Sequence, residues 1–182
     1  MDRLASPEEI VDFWRGVGPE RWFAKDEAFD ETCRARFLAT HEAAARGDLA
    51  EWELSPRGAL ALIILLDQLP RNMFRGTRRA YATDATALLG AERAIERHFD
   101  EAVEPELRRF FYLPFSHAED LSAQERSVAL NAGIGADDIV EWARHHRDIV
   151  ARFGRFPHRN AILGRETTAE EARFLEESDF RG

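Results

Sequence analysis

Apolar side chains recur at helical spacing along most of the chain, and glycines, prolines and short polar stretches separate the segments they mark. That spacing predicts a succession of amphipathic helices. The first opens at Ser6-Pro7-Glu8-Glu9, with an N-cap serine, a proline in the first turn and a glutamate placed to close a capping box. It carries Ile10, Phe13, Trp14 and Val17 and ends at Gly16 and Gly18-Pro19, after which Trp22 and Phe23 are read as apolar anchors. A second helix starts near Asp26 and lines up Phe29, Cys33, Phe37 and His41 on one face before Gly47. Cys33 therefore reads as a small buried hydrophobe and His41 as a helix-end histidine. Ser55-Pro56 opens the most apolar helix, with every position from Ala59 to Leu66 hydrophobic, so it must be central and covered on most sides. Pro70 is expected to force the chain out of that helix.

Further helices are predicted from an Asp84 N-cap through Leu88, Leu89, Ala91, Ile95 and Phe99, from Pro105 through Leu107, Phe110 and Phe111, and from a Ser122-Ala123-Gln124-Glu125 capping box to Gly133. Another runs from about Asp137 through Ile139, Trp142, His146, Ile149, Val150 and Phe153 to a C-cap at Gly154. A last short one begins at Thr168-Ala169-Glu170-Glu171. His98, beside Arg97, receives no role. Period-two alternation and hairpin dipeptides are nearly absent, so the fold class is all-α, built of antiparallel helix pairs.

Composition narrows the picture modestly. A chain of 182 residues fits a single helical domain over 1–182, and 45% hydrophobic with 32% charged residues describes a folded soluble protein. The net charge of −9 argues against nucleic acid or an anionic membrane as the main partner. One cysteine rules out an intrachain disulfide and a thiolate metal site, and no apolar run approaches membrane-span length, so a cytoplasmic location is expected. Oligomeric state is not legible.

Three polar stretches stand out, each beside a proline that breaks a helix. Asp67-Gln68-Leu69-Pro70-Arg71-Asn72 sets a carboxylate at the end of the apolar helix, where it needs a cationic partner. Tyr112-Leu113-Pro114-Phe115-Ser116-His117-Ala118-Glu119-Asp120 follows aromatics with a hydroxyl, an imidazole and two acids. Phe153-Gly154-Arg155-Phe156-Pro157-His158-Arg159-Asn160 sets cations and an imidazole among aromatic rings. These motifs, in this order and with Leu163-Gly164-Arg165-Glu166-Thr167-Thr168 following, resemble the bacterial DUF924 family over essentially the whole chain. The resemblance implies an all-helical, tetratricopeptide-like right-handed array. It implies no activity and assigns no catalytic residue. Leu69 and Ser116 stand where family members often have Phe and Met, departures that read as packing differences.

Residues 144–165 hold six arginines and one acid, Asp148, about +5 in a chain of net −9. One explanation is a cationic helix end complementing the helix dipole. Another is an anion pocket, with Arg71, Asn72, Arg155, Arg159 and Asn160 binding and with His117, His158, Glu119 and Asp67 available for acid–base work. The three helix ends are expected to converge on one site. No pair of ligands at helical spacing suggests a metal, Ser116 abuts His117 without a nucleophile elbow, and no phosphate-cradling glycine loop is present, so no metal or cofactor is expected. The expected partner is a small anionic molecule, with catalysis left open. The alternatives are a groove for a peptide or carboxylate terminus and a purely structural network of buried ion pairs. A closed pocket favours the first, an open groove the second and full mutual pairing the third.

Overall fold

In the computed structural model, residues 3–178 are described, and among them all regular structure is helical. None of those helices is long and apolar enough to cross a membrane. Packing divides the chain into two units, Met1–Arg75 with Arg79–Pro114, and Gly76–Arg78 with Phe115–Gly182.

The first unit begins with α1 (Pro7–Val17), where Ser6 and Glu9 close the expected capping box and Gly18 ends the helix at φ 79°. Helix α2 (Glu27–Ala45) is capped by Asp26, whose side chain accepts from the Phe29 N–H. Helix α3 (Pro56–Ile63) is capped by Ser55 and is buried from Gly58 onward, as its unbroken apolar sequence requires. It packs on α1 and on α5 (Asp84–Glu96), while α2 lies against α4 (Leu69–Met73). Cys33 and Phe37 are buried. Trp14 stands edge-on to Phe110, 5.8 Å between centroids, and Trp22 meets the same ring at 4.9 Å while donating its indole N–H to Trp14 O. Each such side chain contributes roughly 1.5–3 kcal/mol through burial. Phe23, the other expected anchor, is 57% exposed and lies under the Arg109 guanidinium.

Pro70 does not end the helical path. The chain widens into a π-turn over Ile64–Gln68 and continues as α4. A proline in a helix has no N–H for the carbonyl four residues back and crowds it. Here that carbonyl belongs to Leu66, and the Thr83 hydroxyl supplies the missing donor at 2.5 Å. The Leu69 N–H reaches back to Ile64 O instead of Leu65 O, and His41 Nδ1 meets Leu65 O at 2.9 Å. His41 is thus a structural donor to the widened turn. Helix α5 begins at Asp84 itself, with Thr83 at the cap position, because the Asp84 carboxylate is taken by Arg71. Helix α6 (Pro105–Arg108) follows, and the exposed His98 before it adopts φ 58°.

The second unit starts within α7 (Leu113–His117). Helices α8 (Leu121–Ala132) and α9 (Asp137–Phe153) are joined by a short turn and pack along each other as a helical hairpin. Asp120, not Ser122, caps α8, its carboxylate accepting from the Ala123 N–H. The expected Ser122 box sits two residues too late because Asp120 takes the extended cap conformation first. Gly154 ends α9 at φ 69°, a 3-10 turn covers Pro157–Arg159, and α10 (Asn160–Leu163) closes at Gly164. Helix α11 (Ala169–Glu177) opens with the expected Thr168–Glu171 capping box. Ile149, Val150 and Phe156 form this unit's apolar centre, with Phe153 and Phe174 packed on it.

Candidate functional site

The first motif is built into the first unit. Asp67 is fully buried in the π-turn, accepts from the Gln68 amide and has Arg71 Nη1 3.4 Å from its Oδ1. Arg71 also donates to Asp67 O and grips Asp84 through both terminal nitrogens, at 3.0 and 3.1 Å. Burial works against the Arg71 charge, but Asp67 and Asp84 outweigh it and raise its pKa. Asn72 donates to Asp30, which Arg75 holds bidentately at 2.6 and 2.8 Å. Both proposed binders of this stretch therefore carry carboxylate partners from their own unit.

The second and third motifs meet in the second unit. Glu119 accepts two bonds from Arg165, at 2.6 and 2.9 Å, and a third from the Phe156 backbone N–H at 2.7 Å. Burial raises the Glu119 pKa, yet Arg165, the Phe156 N–H and the nearby charge of Arg159 more than reverse it, so the carboxylate stays ionised. Arg159, 6% exposed, lies 4.6 Å over the Phe156 ring and donates from Nη1 to His117 O at 3.0 Å. The loop after α7 and the loop after α9 are thus stitched together by one carboxylate and one guanidinium.

Arg155 holds Glu171 through two bonds of 2.6 and 3.0 Å, and Glu171 also accepts from the Thr168 N–H and from Asn160 Nδ2. The Arg155 bond, with these others, brings the Glu171 carboxyl down to about 2. Glu171 was visible in the sequence only as a capping-box glutamate. Its second use as the partner of Arg155 depends on α11 folding back, which spacing along the chain does not encode.

Imidazoles gather around Phe156. His146 and His158 each lie 5.7 Å from that ring, and His146 lies 3.9 Å from the Trp142 ring, tilted by 44°, and bonds the Trp142 carbonyl. Burial, followed by repulsion from His117, His145 and His158, pushes the His146 pKa down to about 3. His146 had appeared only as one member of the α9 apolar stripe. Among the described residues no group of three or more His, Cys, Asp or Glu is placed to hold a metal ion.

No curated protein matches the chain. A solved structure of a protein of unknown function from Agrobacterium tumefaciens is 55% identical, covers 94% of this chain and 97% of that one, and superposes with a TM-score of 0.91. The family model described as "Bacterial protein of unknown function (DUF924)" matches residues 10–179. That match spans nearly the whole chain, and the chain belongs to the DUF924 family.

Proposed function

We propose that the second unit binds a small anionic molecule beside Phe156, at the cluster of Arg159, His117 and His158. The observation that carries this reading is a local charge imbalance. Residues 144–165 hold six arginines and one acid in a chain of net −9, and within that segment Arg155 and Arg165 are gripped bidentately by Glu171 and Glu119 while Arg159 lies against the Phe156 ring. The segment's cations thus meet an aromatic ring in a partly dehydrated setting that strengthens attraction for an anion. Arg159 is the primary anchor, and His117 and His158 are the groups suited to give or take a proton. Glu119, Arg155 and Asn160 shape the loop. Asp67, Arg71 and Asn72 hold the first unit together.

The fourfold engagement of Glu171 favours a second reading, in which the arginines only lock the C-terminal loop. A tetratricopeptide-like array with a cytoplasmic location belongs to either reading, supported by the α8–α9 hairpin, and a peptide carboxylate is a further anion of the right kind. A thermal-shift panel of inorganic phosphate, sulfate and small mono- and dicarboxylates separates the two. Binding is expected to raise the melting temperature of the wild type and not that of Arg159→Lys, which keeps the charge and loses the planar fork. No shift with any member, or the same shift in both proteins, supports the loop-lock reading.

A further inference from the structure

The buried stripe of α8 is polar rather than apolar: Gln124 and Ser127 are fully buried and Asn131 nearly so, at the spacing of one helix face. Two of the three find partners for their side chains. Ser127 Oγ pairs with Ser116 Oγ at 2.5 Å, and Asn131 Nδ2 donates to Ser127 O and Oγ at 2.9 and 3.2 Å. Gln124 is only half satisfied. Its Nε2 donates to Ser116 O at 2.7 Å and to Ala118 O at 2.8 Å. Carbonyls only accept, so those two bonds fix which end of the amide is nitrogen and leave Oε1 as the end turned away from them. Oε1 is buried and meets no donor among the described residues. A buried side-chain oxygen normally has one.

The place of this acceptor gives it a use. Ser116 O and Ala118 O flank His117 O, and His117 O takes Nη1 of Arg159 at 3.0 Å. The Gln124 amide and the Arg159 guanidinium therefore meet one three-residue turn at the end of α7, where successive Cα atoms are about 3.8 Å apart. A cation and an acceptor on one turn suit an anion that also carries a hydrogen-bond donor. That donor is neutral, because an ammonium group would be set against Arg159 and against the imidazoles of His117 and His158 when protonated. We propose that the anion bound at Arg159 is a small hydroxycarboxylate, its carboxylate on the guanidinium and its hydroxyl donating to Gln124 Oε1. The assignment rests on the anion site proposed for this cluster and names the class of ligand it takes. An acid without the hydroxyl leaves the buried oxygen unsatisfied, which is how such an acceptor discriminates between otherwise similar molecules.

The test is an NMR titration of the full chain with butyrate, 3-hydroxybutyrate and 3-methoxybutyrate, read at the Gln124 side-chain NH2 signals and the Ala118 amide. The hydroxyl is expected to tighten binding about tenfold over butyrate, the upper end of what one neutral hydrogen bond contributes. The methoxy compound cannot donate and is expected to bind no better than butyrate. Gln124→Met keeps the length of the side chain without the oxygen and is expected to erase the hydroxyl's advantage while butyrate still binds. The ligand series in the wild type decides the matter even where that variant loosens the end of α7. Inorganic phosphate is the control for the anion site itself. Phosphate binding that weakens in Arg159→Lys, with no advantage for the hydroxy acid over butyrate, overturns the hydroxycarboxylate alone. No saturable binding by phosphate or by any of the three acids overturns both the anion site and this assignment. A methoxy compound that binds as tightly as the hydroxy acid, or a hydroxyl preference unchanged in folded Gln124→Met, overturns the contact with Oε1.

Discussion

Glu171 is 2% exposed and serves two helices' worth of structure at once, as capping-box acceptor for α11 and as partner of Arg155. Its carboxyl sits at about 2 in the folded chain against an ordinary value of 4.5. A depressed folded pKa stabilises the fold while the group is ionised, and that stabilisation drains away as pH falls from about 4.5 through about 2. Glu171→Gln is therefore expected to cost about 1–3 kcal/mol at neutral pH. It should also lose less stability than the wild type on acidification across that window, measured by urea midpoints; parallel losses contradict the assignment. The capping box that contains Glu171 was legible because Thr-x-x-Glu is a local rule. The same rule misfired at Ser122, where Asp120 capped two residues earlier. Phe23 misled for a different reason: its neighbour Trp22 is buried, but only the packing around Phe110 decides which ring turns inward.

At the scale of elements, the apolar helix and its polar end were readable, while the path through Pro70 was not. Proline removes a donor and is expected to break a helix, yet His41 and Thr83 come from distant segments to satisfy the carbonyls of Leu65 and Leu66. No local pattern signals that rescue. Thr83→Val, close in volume but without the hydroxyl, leaves Leu66 O buried without its donor and is expected to destabilise by about 1–3 kcal/mol. Denaturant unfolding of the purified variant measures it, and a change below about 0.5 kcal/mol means that the widened turn does not need the hydroxyl. Ion pairs follow the same logic. The sequence showed that Asp67 needed a cation, and Arg71 one turn on is there; that Arg71 also binds Asp84 follows from α5 packing against the π-turn.

Over the whole molecule, the all-helical class and the family were legible in periodicity and in three motifs, because both depend on local spacing. The second and third motifs do come together, through Glu119, Arg165 and Arg159, in a segment that is about +5 within a chain of net −9. Which arginines are already occupied was not legible, since Glu119 and Glu171 reach them across 46 and 16 positions. Of these arginines, Arg159 is the one that lies over the Phe156 ring and donates to His117 O, and it is the anchor proposed for an anion. His146 gives the cluster an internal reference: held neutral by burial, with a pKa of about 3, its ring should keep a constant protonation state at and above pH 5. The most direct test is an imidazole NMR titration with inorganic phosphate at pH 6.5. Saturable shifts of the His117 and His158 ring signals, weakened about tenfold in Arg159→Lys and with His146 remaining neutral, are the predicted result. Linear, non-saturating shifts that are identical in the wild type and Arg159→Lys would contradict an anion site at this cluster.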